Sequence, residues 1–398
     1  MLGFRWRICK LRNIASKMKI VYIYKSIALL AGMERILTDK MNYLAEKYDI
    51  DLFLITYEQS GHPLSFPIHS NIKHIDLDVK FYTTHGHSLI KRLFMYLQMR
   101  HQFKKRLKDV VSRINPNIII TTTYSYPILD LIIKVSKTSK YILESHVAKS
   151  TIFKSKDFNN SFIKKISKIY DTYIIKQIKK FDILVTLTNN DKESWNNITQ
   201  TIVIPNLTKS QTSTISNYDV HKIISVGRLH EQKGYDLLID AWKGVHSKYP
   251  IWEMHIYGCG SLKTLLEEKI KEYNLQNCFY IHPPTPNIHE EYNKYSFFVM
   301  SSRYEGFGLV LTEAMSHGLP CISFNCPHGP SEIIKNNEDG LLIENGNIDA
   351  LAEGICYLIE HKDVRIQMGK NARNNVLRYS PERIMKQWYD LFNGLIQK

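Results

Sequence analysis

The sequence predicts an α/β protein made of two doubly wound, Rossmann-like domains that face each other across a cleft. With 398 residues, the chain is too long for one ordinary hydrophobic core and long enough for two. Strand-like runs alternate with amphipathic helical segments in both halves, which favours mainly parallel sheets. A polar stretch rich in Ser and Thr separates the two series. The expected order is an N-terminal extension, a first domain, a linker and a second domain, at residues 1–17, 18–206, 207–219 and 220–398.

Each domain is expected to contain about six short strands. In the first domain the strand-like runs are "KIVYIYK", "DIDLFLITY", "NIIITTT", "KYILESH", "FDILVTLT" and "TIVIPN". In the second they are "HKIISVGR", "WEMHIYG", "NCFYIHPP", "SFFVMSS", "PCISFNC" and "GLLIEN". Helical patterns such as "MERILTDKMNYLAEKY", "GYDLLIDAWKGVHSKY" and "IDALAEGICYLIEH" lie between them. Clefts at the carboxyl ends of such strands bind ligands, so functional residues are expected in the loops that follow the strands.

The positive charge of the chain is concentrated in its first half. The net charge is +15, but residues 1–210 carry a surplus of 18 positive charges and residues 211–398 a surplus of three negative ones. The segment 88–114 has eight Lys or Arg, one acidic residue and interleaved apolar side chains, which predicts a basic amphipathic helix. Such a helix can lie on an anionic membrane surface, hold a phosphate-rich partner, or cover a core with a solvated basic face, and these interpretations remain open.

Cysteine usage and hydropathy indicate a cytoplasmic protein. The six cysteines form no C-x-x-C pair, which is typical of reduced thiols in the cytosol. No apolar stretch approaches the length of a membrane span, and residues 1–17 are basic without the apolar core of a signal peptide. We expect residues 1–17 to be dispensable.

The stretch "RYEGFGLVLTEAM", residues 303–315, is the first candidate site. It follows the apolar run "YSFFVMSS" and predicts a strand, a glycine loop and a helix. The first turn of a helix leaves N–H groups unpaired and attracts anions, and Gly306 and Gly308 would let a ligand approach the backbone. Glu305 and Glu313 could then accept hydrogen bonds from sugar hydroxyls. The alternative is a glycine loop with two solvated glutamates.

The stretch "SVGRLHEQKGYDLLIDAW" is the second candidate site. It bends at Gly227 and supplies Arg228 and Lys233 just before a helix that should begin near Tyr235. Two cations at the start of a helix suit a diphosphate, and both could take up negative charge as a phosphate leaving group departs.

Together these stretches resemble the retaining family-4 glycosyltransferases of the GT-B fold, and the resemblance covers residue 18 to the C-terminus. "EGFGLVLTE" is similar to the E-x7-E signature of that family, and "VGRLHEQKG" to its diphosphate element. The resemblance implies that Arg228 and Lys233 hold the diphosphate, Glu305 the transferred sugar and Glu313 the ribose. Gly227 and backbone groups of Gly306, Phe307, Gly308, Leu309 and Val310 would complete the donor site. The C-terminal helix is expected to pack back on the first domain.

The first domain supplies two further candidates. "KSIALLAGMERIL" places Gly32 after the first strand, where the resemblance expects a glycine pair, and Ala31 stands in for the first glycine. "YILESHVAKS" ends a strand with His146, which matches a histidine near the reacting sugar in the family. The family more often has Glu directly before that His, so Glu144 carries little weight here. A buried structural histidine is the alternative for His146.

No metal site is expected. The segment "IDLDV", residues 75–79, has the D-x-D spacing that metal-dependent glycosyltransferases use. Its alternation with Ile75 and Leu77 instead predicts that Asp76 and Asp78 form the solvent face of a strand.

The resulting hypothesis is a metal-independent, retaining transferase. It would move a hexose or N-acetylhexosamine from a nucleotide sugar, expected to be UDP-linked, to an envelope glycan or lipid-linked acceptor, with no bound cofactor. The expected location is cytoplasmic and peripheral, with the basic first domain at an anionic membrane surface and no nucleic acid as partner. The alternatives are an epimerase or phosphorylase on the same scaffold, or a basic, non-enzymatic nucleic-acid binder.

Overall fold

A computed structural model of the protein describes residues 17–29, 31–84, 86–153, 161–209 and 216–397. The predicted architecture is confirmed: two parallel sheets, each flanked by helices, form two Rossmann-like domains. Residues 1–16 of the expected extension, and residues 210–215 of the expected linker, lie outside the described residues.

The first domain contains a seven-stranded sheet with the order β3-β2-β1-β4-β5-β6-β7. Its strands are β1 Met18–Tyr24, β2 Ile50–Thr56, β3 Ile72–Asp76, β4 Ile118–Thr122, β5 Lys140–Glu144, β6 Ile183–Thr186 and β7 Thr201–Val203. Its helices are α1 Gly32–Lys47, α2 Leu89–Ile114, α3 Leu129–Ile132, α4 Lys149–Ile152, α5 Ser161–Ile178 and α6 Asn189–Ser194. The strand order reverses between β1 and β4, which pair in parallel.

The second domain contains a six-stranded sheet with the order β10-β9-β8-β11-β12-β13. Its strands are β8 Lys222–Val226, β9 Glu253–Tyr257, β10 Phe279–His282, β11 Phe297–Met300, β12 Cys321–Phe324 and β13 Gly340–Ile343. Its helices are α7 Tyr235–Lys248, α8 Lys263–Glu272, α9 Ile288–Tyr292, α10 Leu309–Ser316, α11 Pro330–Ile333, α12 Ile348–Glu360, α13 Lys362–Asn375 and α14 Pro381–Ile396. The order reverses here between β8 and β11.

The C-terminal helix α14 leaves the second domain and packs against α1 of the first. Trp388 and Phe392 of α14 are buried in a core that also contains Leu37 and Leu44 of α1. At the far end of this contact, Tyr389 stacks on Tyr48 with ring centroids 4.2 Å apart. The two domains therefore share an apolar core on this side of the molecule.

The predicted basic helix is present as α2, but the prediction for "IDLDV" is only partly confirmed: Asp78 is exposed, whereas the strand is shorter than predicted. Strand β3 ends at Asp76, and Asp78 lies beyond it with a positive φ of 47°. Asp76 is half-buried and accepts hydrogen bonds from the backbone N–H groups of Gln59 and Ser60, so it organises a loop instead of facing solvent. The alternation misled because the residues that continue it, Leu77 and Val79, are buried after the strand has ended.

The described cysteines are all free thiols, four of them buried. Among the helices in the described part of the chain, none has the length and apolar character needed to cross a membrane.

Candidate functional site

The two candidate loops of the second domain meet at the point where its strand order reverses. The loop after β8 carries Gly227, Arg228 and Lys233, and the loop after β11 carries Glu305 and the glycine pair. Because β8 and β11 are paired neighbours, their carboxyl ends bring these loops together. The sequence stretches are 72 residues apart at Lys233 and Glu305, yet form one site.

Lys233 and Glu305 form an ion pair at the centre of this site. The Lys233 Nζ lies 2.7 Å from Glu305 Oε1, and the Ser302 hydroxyl donates to the same oxygen over 2.6 Å. The two side chains are 14% and 8% exposed. Gly227 lies beneath the lysine, because a Cβ there would come within 3.2 Å of Lys233 Cε.

The glycine loop has the backbone geometry that its sequence predicts. Gly308 has a φ of 98° and forms the N-cap of α10. The N–H groups of the first helical turn, at Leu309 and Val310, therefore follow Glu305 by only a few residues along the chain. Phe307 is buried and packs edge-on against Tyr379, with centroids 5.4 Å apart. This ring contact anchors the glycine loop to Tyr379.

Gly306 is required by the close approach of the first domain. A Cβ at this position would lie 2.6 Å from the carbonyl oxygen of His146, which follows β5. Gly32 approaches the same region, because a Cβ there would lie 3.6 Å from Leu309. Two candidates of the first domain, Gly32 and His146, therefore border the glycine loop across the cleft.

Arg228 is exposed, and its side chain has little hydrogen bonding to the rest of the protein. Among the described residues, the only hydrogen bond of its side chain is a long one, 3.4 Å, to the Gln232 side chain. Burial raises the pKa of Tyr124 in the first domain, and the positive charge of Arg228 opposes that rise. Arg228 is therefore close enough to influence Tyr124, which follows β4 at the reversal point of the other sheet.

Glu313 lies one turn inside α10 and already contacts the first domain. Its Oε1 lies 3.6 Å from Arg35 Nη1, and its Oε2 accepts a hydrogen bond of 3.4 Å from the Tyr292 hydroxyl. Burial raises the pKa of Glu313, while Arg35 opposes the rise. Arg35 also donates to His289 over 2.6 Å, and burial lowers the pKa of that histidine to about 4.

Sequence reasoning gave little weight to Glu144, and the structure places it in the centre of a buried cluster. Glu144 Oε2 accepts from His146 Nε2 over 2.9 Å, and Oε1 accepts from Lys40 Nζ over 2.5 Å. Burial alone would raise the pKa of Glu144, but Lys40 and His146 together lower it to about 2. A Glu at the end of an apolar strand was the available signal, because a buried carboxylate needs a partner.

Glu332 joins the two domains at the rim of the cleft. It accepts hydrogen bonds from the backbone N–H groups of Asn189 and Asn190, at 2.9 and 3.0 Å, where α6 begins.

Within the described ranges, no group of three or more His, Cys, Asp or Glu is placed to hold a metal ion.

Comparison with known proteins finds a family match in the second half of the chain. Residues 209–375 match the family described as glycosyl transferases group 1. An uncharacterized glycosyltransferase of Haemophilus influenzae is 27% identical, over 93% of this chain and 98% of that protein. The amylovoran biosynthesis glycosyltransferase AmsD of Erwinia amylovora is 38% identical over a match that covers 44% of this chain and only 48% of AmsD.

A solved structure has the same two-domain fold. A point mutant of S. aureus TarM, in complex with fondaparinux, alpha-GlcNAc-glycerol and UDP, superposes with a TM-score of 0.74 at 17% identity, over 94% of this chain and 100% of that one. The chain therefore has the two-domain fold of GT-B glycosyltransferase structures. Within this fold, the part similar to the glycosyl transferases group 1 family is residues 209–375.

Proposed function

We propose that the protein is a retaining glycosyltransferase that moves a hexose or N-acetylhexosamine from a UDP-sugar to an envelope glycan or lipid-linked acceptor. The observation that carries this proposal is the convergence of Lys233, Glu305 and the N-terminus of α10 at the reversal point of the second sheet. Positive charge, backbone donors and a carboxylate meet there within one loop pair. A diphosphate and a sugar require these groups together.

Four of the sequence-predicted residues have a role in this proposal. Arg228 and Lys233 neutralise the diphosphate, Glu305 accepts hydrogen bonds from the transferred sugar, and Glu313 accepts them from the ribose. Because Arg35 now contacts Glu313, the ribose would take over part of that contact. The presence of UDP and alpha-GlcNAc-glycerol in the TarM complex supports the choice of donor and of retention.

The proposed reaction is a front-face displacement. The bond between the anomeric carbon and the diphosphate oxygen breaks, and the acceptor oxygen bonds to the same face of the sugar. The departing phosphate oxygen takes the proton of the acceptor hydroxyl. Arg228, Lys233 and the α10 N-terminus stabilise the negative charge that develops on the diphosphate, so the proposal needs neither a metal ion nor a cofactor.

Mass spectrometry of purified protein, offered a panel of nucleotide sugars with glycan and lipid extracts, tests this function. We expect transfer from a UDP-sugar, unchanged in excess EDTA, with an alpha linkage in the isolated product. Isomerised nucleotide sugar formed without any acceptor would favour an epimerase. Activity lost in EDTA and restored by magnesium would contradict metal independence.

We also propose that the first domain works at an anionic membrane surface. Supporting this, α2 and α5 present apolar side chains that are each more than half exposed: Leu93, Phe94, Leu97, Ile166 and Ile169. Both helices contact the segment that follows β4: Arg100 of α2 pairs with Asp130 of α3 at 2.6 Å, and the ring of Tyr170 of α5 contacts that of Tyr126, with centroids 6.4 Å apart. Lys104, Lys105 and Lys108 of α2 are exposed next to them, whereas Arg106 is bonded to the carbonyls of Leu77 and Asp78.

Vesicle co-sedimentation tests the membrane proposal. Each Lys near an anionic surface contributes about 1 kcal/mol, screened beyond about 10 Å at moderate salt. Binding to anionic vesicles should therefore fall as salt rises and be lost when Lys104, Lys105 and Lys108 become Glu. The matched control changes three exposed lysines of the second domain, Lys263, Lys335 and Lys362, to Glu. Equal losses in both variants, or equal binding to neutral vesicles, would overturn the proposal.

A further inference from the structure

Lys40, Glu144 and His146 form a buried chain that leads from helix α1 to the glycine loop. Lys40 donates to Glu144 Oε1 at 2.5 Å, and Glu144 Oε2 contacts His146 Nε2 at 2.9 Å. The side chains of all three are at most 4% exposed. The backbone of His146 in turn lies against Gly306, so the chain ends where the transferred sugar would bind.

The contact with Glu144 determines which ring nitrogen of His146 carries a proton. Glu144 has a pKa of about 2 and is therefore a carboxylate at neutral pH, which can only accept a hydrogen bond. His146 Nε2 must then be the donor. In a neutral ring this leaves Nδ1 with a free lone pair, and Nδ1 is buried with no partner among the described residues.

Lys40 and Glu144 are shielded from any ligand. The cavity that they line together with His146 and Trp388 measures about 10 Å³, which is no more than the space for one water molecule. A sugar or phosphate has no access to these charges from that side. Their effect on chemistry must therefore pass through His146.

The C-terminal helix completes the cluster. The ring of Trp388 in α14 lies 3.8 Å from Lys40 Nζ, and the ring of Tyr22 in β1 lies 5.2 Å from it. A lysine ammonium over an aromatic face is stabilised by the ring quadrupole. The charge that orients Glu144 is thus held partly by a helix that arrives from the second domain.

We propose that Glu144, held by Lys40 under Trp388, is a positioning residue that fixes His146 as the Nε2–H tautomer. Nδ1 is then kept as an acceptor for a hydroxyl of the sugar bound on the glycine loop. The part of this inference that concerns the sugar rests on the proposed glycosyl transfer, whereas the tautomer is a property of the protein alone.

Histidine labelled with ¹³C and ¹⁵N tests the tautomer without any substrate. The ring chemical shifts of the two neutral tautomers differ, and among the 16 histidines the His146 signal is the one lost in His146→Gln. The test variant combines Lys40→Met with Glu144→Leu, because removing both charges of a buried pair leaves no unpaired charge. The control combines Lys386→Met with Asp390→Leu in an exposed pair of α14.

We expect a single Nε2–H tautomer in the wild type and in the control, and a mixture of tautomers in the test variant. Turnover should fall by about 10- to 100-fold in the test variant, with the KM for the donor little changed. The reason is that the hydrogen-bond acceptor, His146 Nδ1, is misplaced and not removed. An Nδ1–H tautomer in the wild type, or an unchanged tautomer in the test variant, would overturn the inference. If the double variant does not fold, Glu144→Gln replaces it, and unchanged turnover there would count equally against the inference. Absence of transfer in the wild type would reject the proposed function but leave the tautomer result standing.

Discussion

Two lysine–glutamate pairs lie on opposite sides of the cleft, and they differ in what can reach them. Lys233 and Glu305 of the second domain are 14% and 8% exposed, and they border a glycine loop. Lys40 and Glu144 of the first domain are 4% and 3% exposed, and a tryptophan covers them. Lys233 and Glu305, here called the open pair, are the more accessible to a ligand. Lys40 and Glu144, here called the sealed pair, are covered by protein.

The comparison separates binding from positioning. When a ligand reaches a charged group at the mouth of a cleft, the ligand can replace the group's protein partner. The interaction energy of that group is then available for binding a substrate. A sealed pair gains little net stability, because desolvation of the two charges offsets most of their attraction. What it can provide is a fixed orientation for a third group, which here is His146.

The largest effect should come from breaking the sealed pair on one side only. Lys40→Met keeps the aliphatic stem but leaves the buried Glu144 carboxylate without its lysine, so we expect a loss of about 3 to 5 kcal/mol in the free energy of unfolding by urea. The double variant with Glu144→Leu should recover most of that loss. Lys386→Met, in an exposed pair, serves as the control. Equal losses in Lys40→Met and the control would show that the pair is not sealed.

Acid should weaken the sealed pair in a defined range. The pKa of Glu144 is about 2 in the folded protein and about 4.3 in an unfolded chain, so its contribution is present above about pH 4.3 and lost as the pH falls toward 2. Between about pH 5 and 3, wild-type stability should fall more steeply than that of the Lys40→Met, Glu144→Leu variant. Parallel curves would mean that Glu144 has an ordinary pKa.

The sequence predicted the open pair better than the sealed one, and chain distance explains the difference. The loops after β8 and β11 are local patterns of strand, glycine and helix, so each could be recognised within about ten residues. Lys40 and Glu144 are 104 residues apart, and their partner Trp388 is on the last helix. No local periodicity encodes such a contact. The prediction that the strand reaches Asp78 failed for the opposite reason, because a local alternation continued past the end of the strand.

Breaking the open pair should affect turnover more than stability. Lys233→Ala and Glu305→Gln each remove a charged contact of about 1.5 to 3 kcal/mol, which corresponds to a loss of at least about tenfold in turnover. Glu305 keeps its hydrogen bond from Ser302 in the lysine variant, so the fold should persist. Steady-state kinetics and circular dichroism measure the two effects. Near-normal rates in either variant would remove that residue from the site.

The smallest effect should come from a third pair, which lies at the surface. Lys17 contacts Asp49 at 2.8 Å, with side chains that are 39% and 90% exposed, and an exposed pair adds little to stability because solvent screens it. Deleting residues 1–17 removes this contact and a segment that contains none of the residues assigned to the proposed site. We therefore expect unchanged turnover and an unfolding transition close to that of the full chain. Lys17→Ala in the full chain separates the ion pair from the rest of the segment. A collapse in stability on deletion, but not in Lys17→Ala, would show that residues 1–16 contribute to the fold.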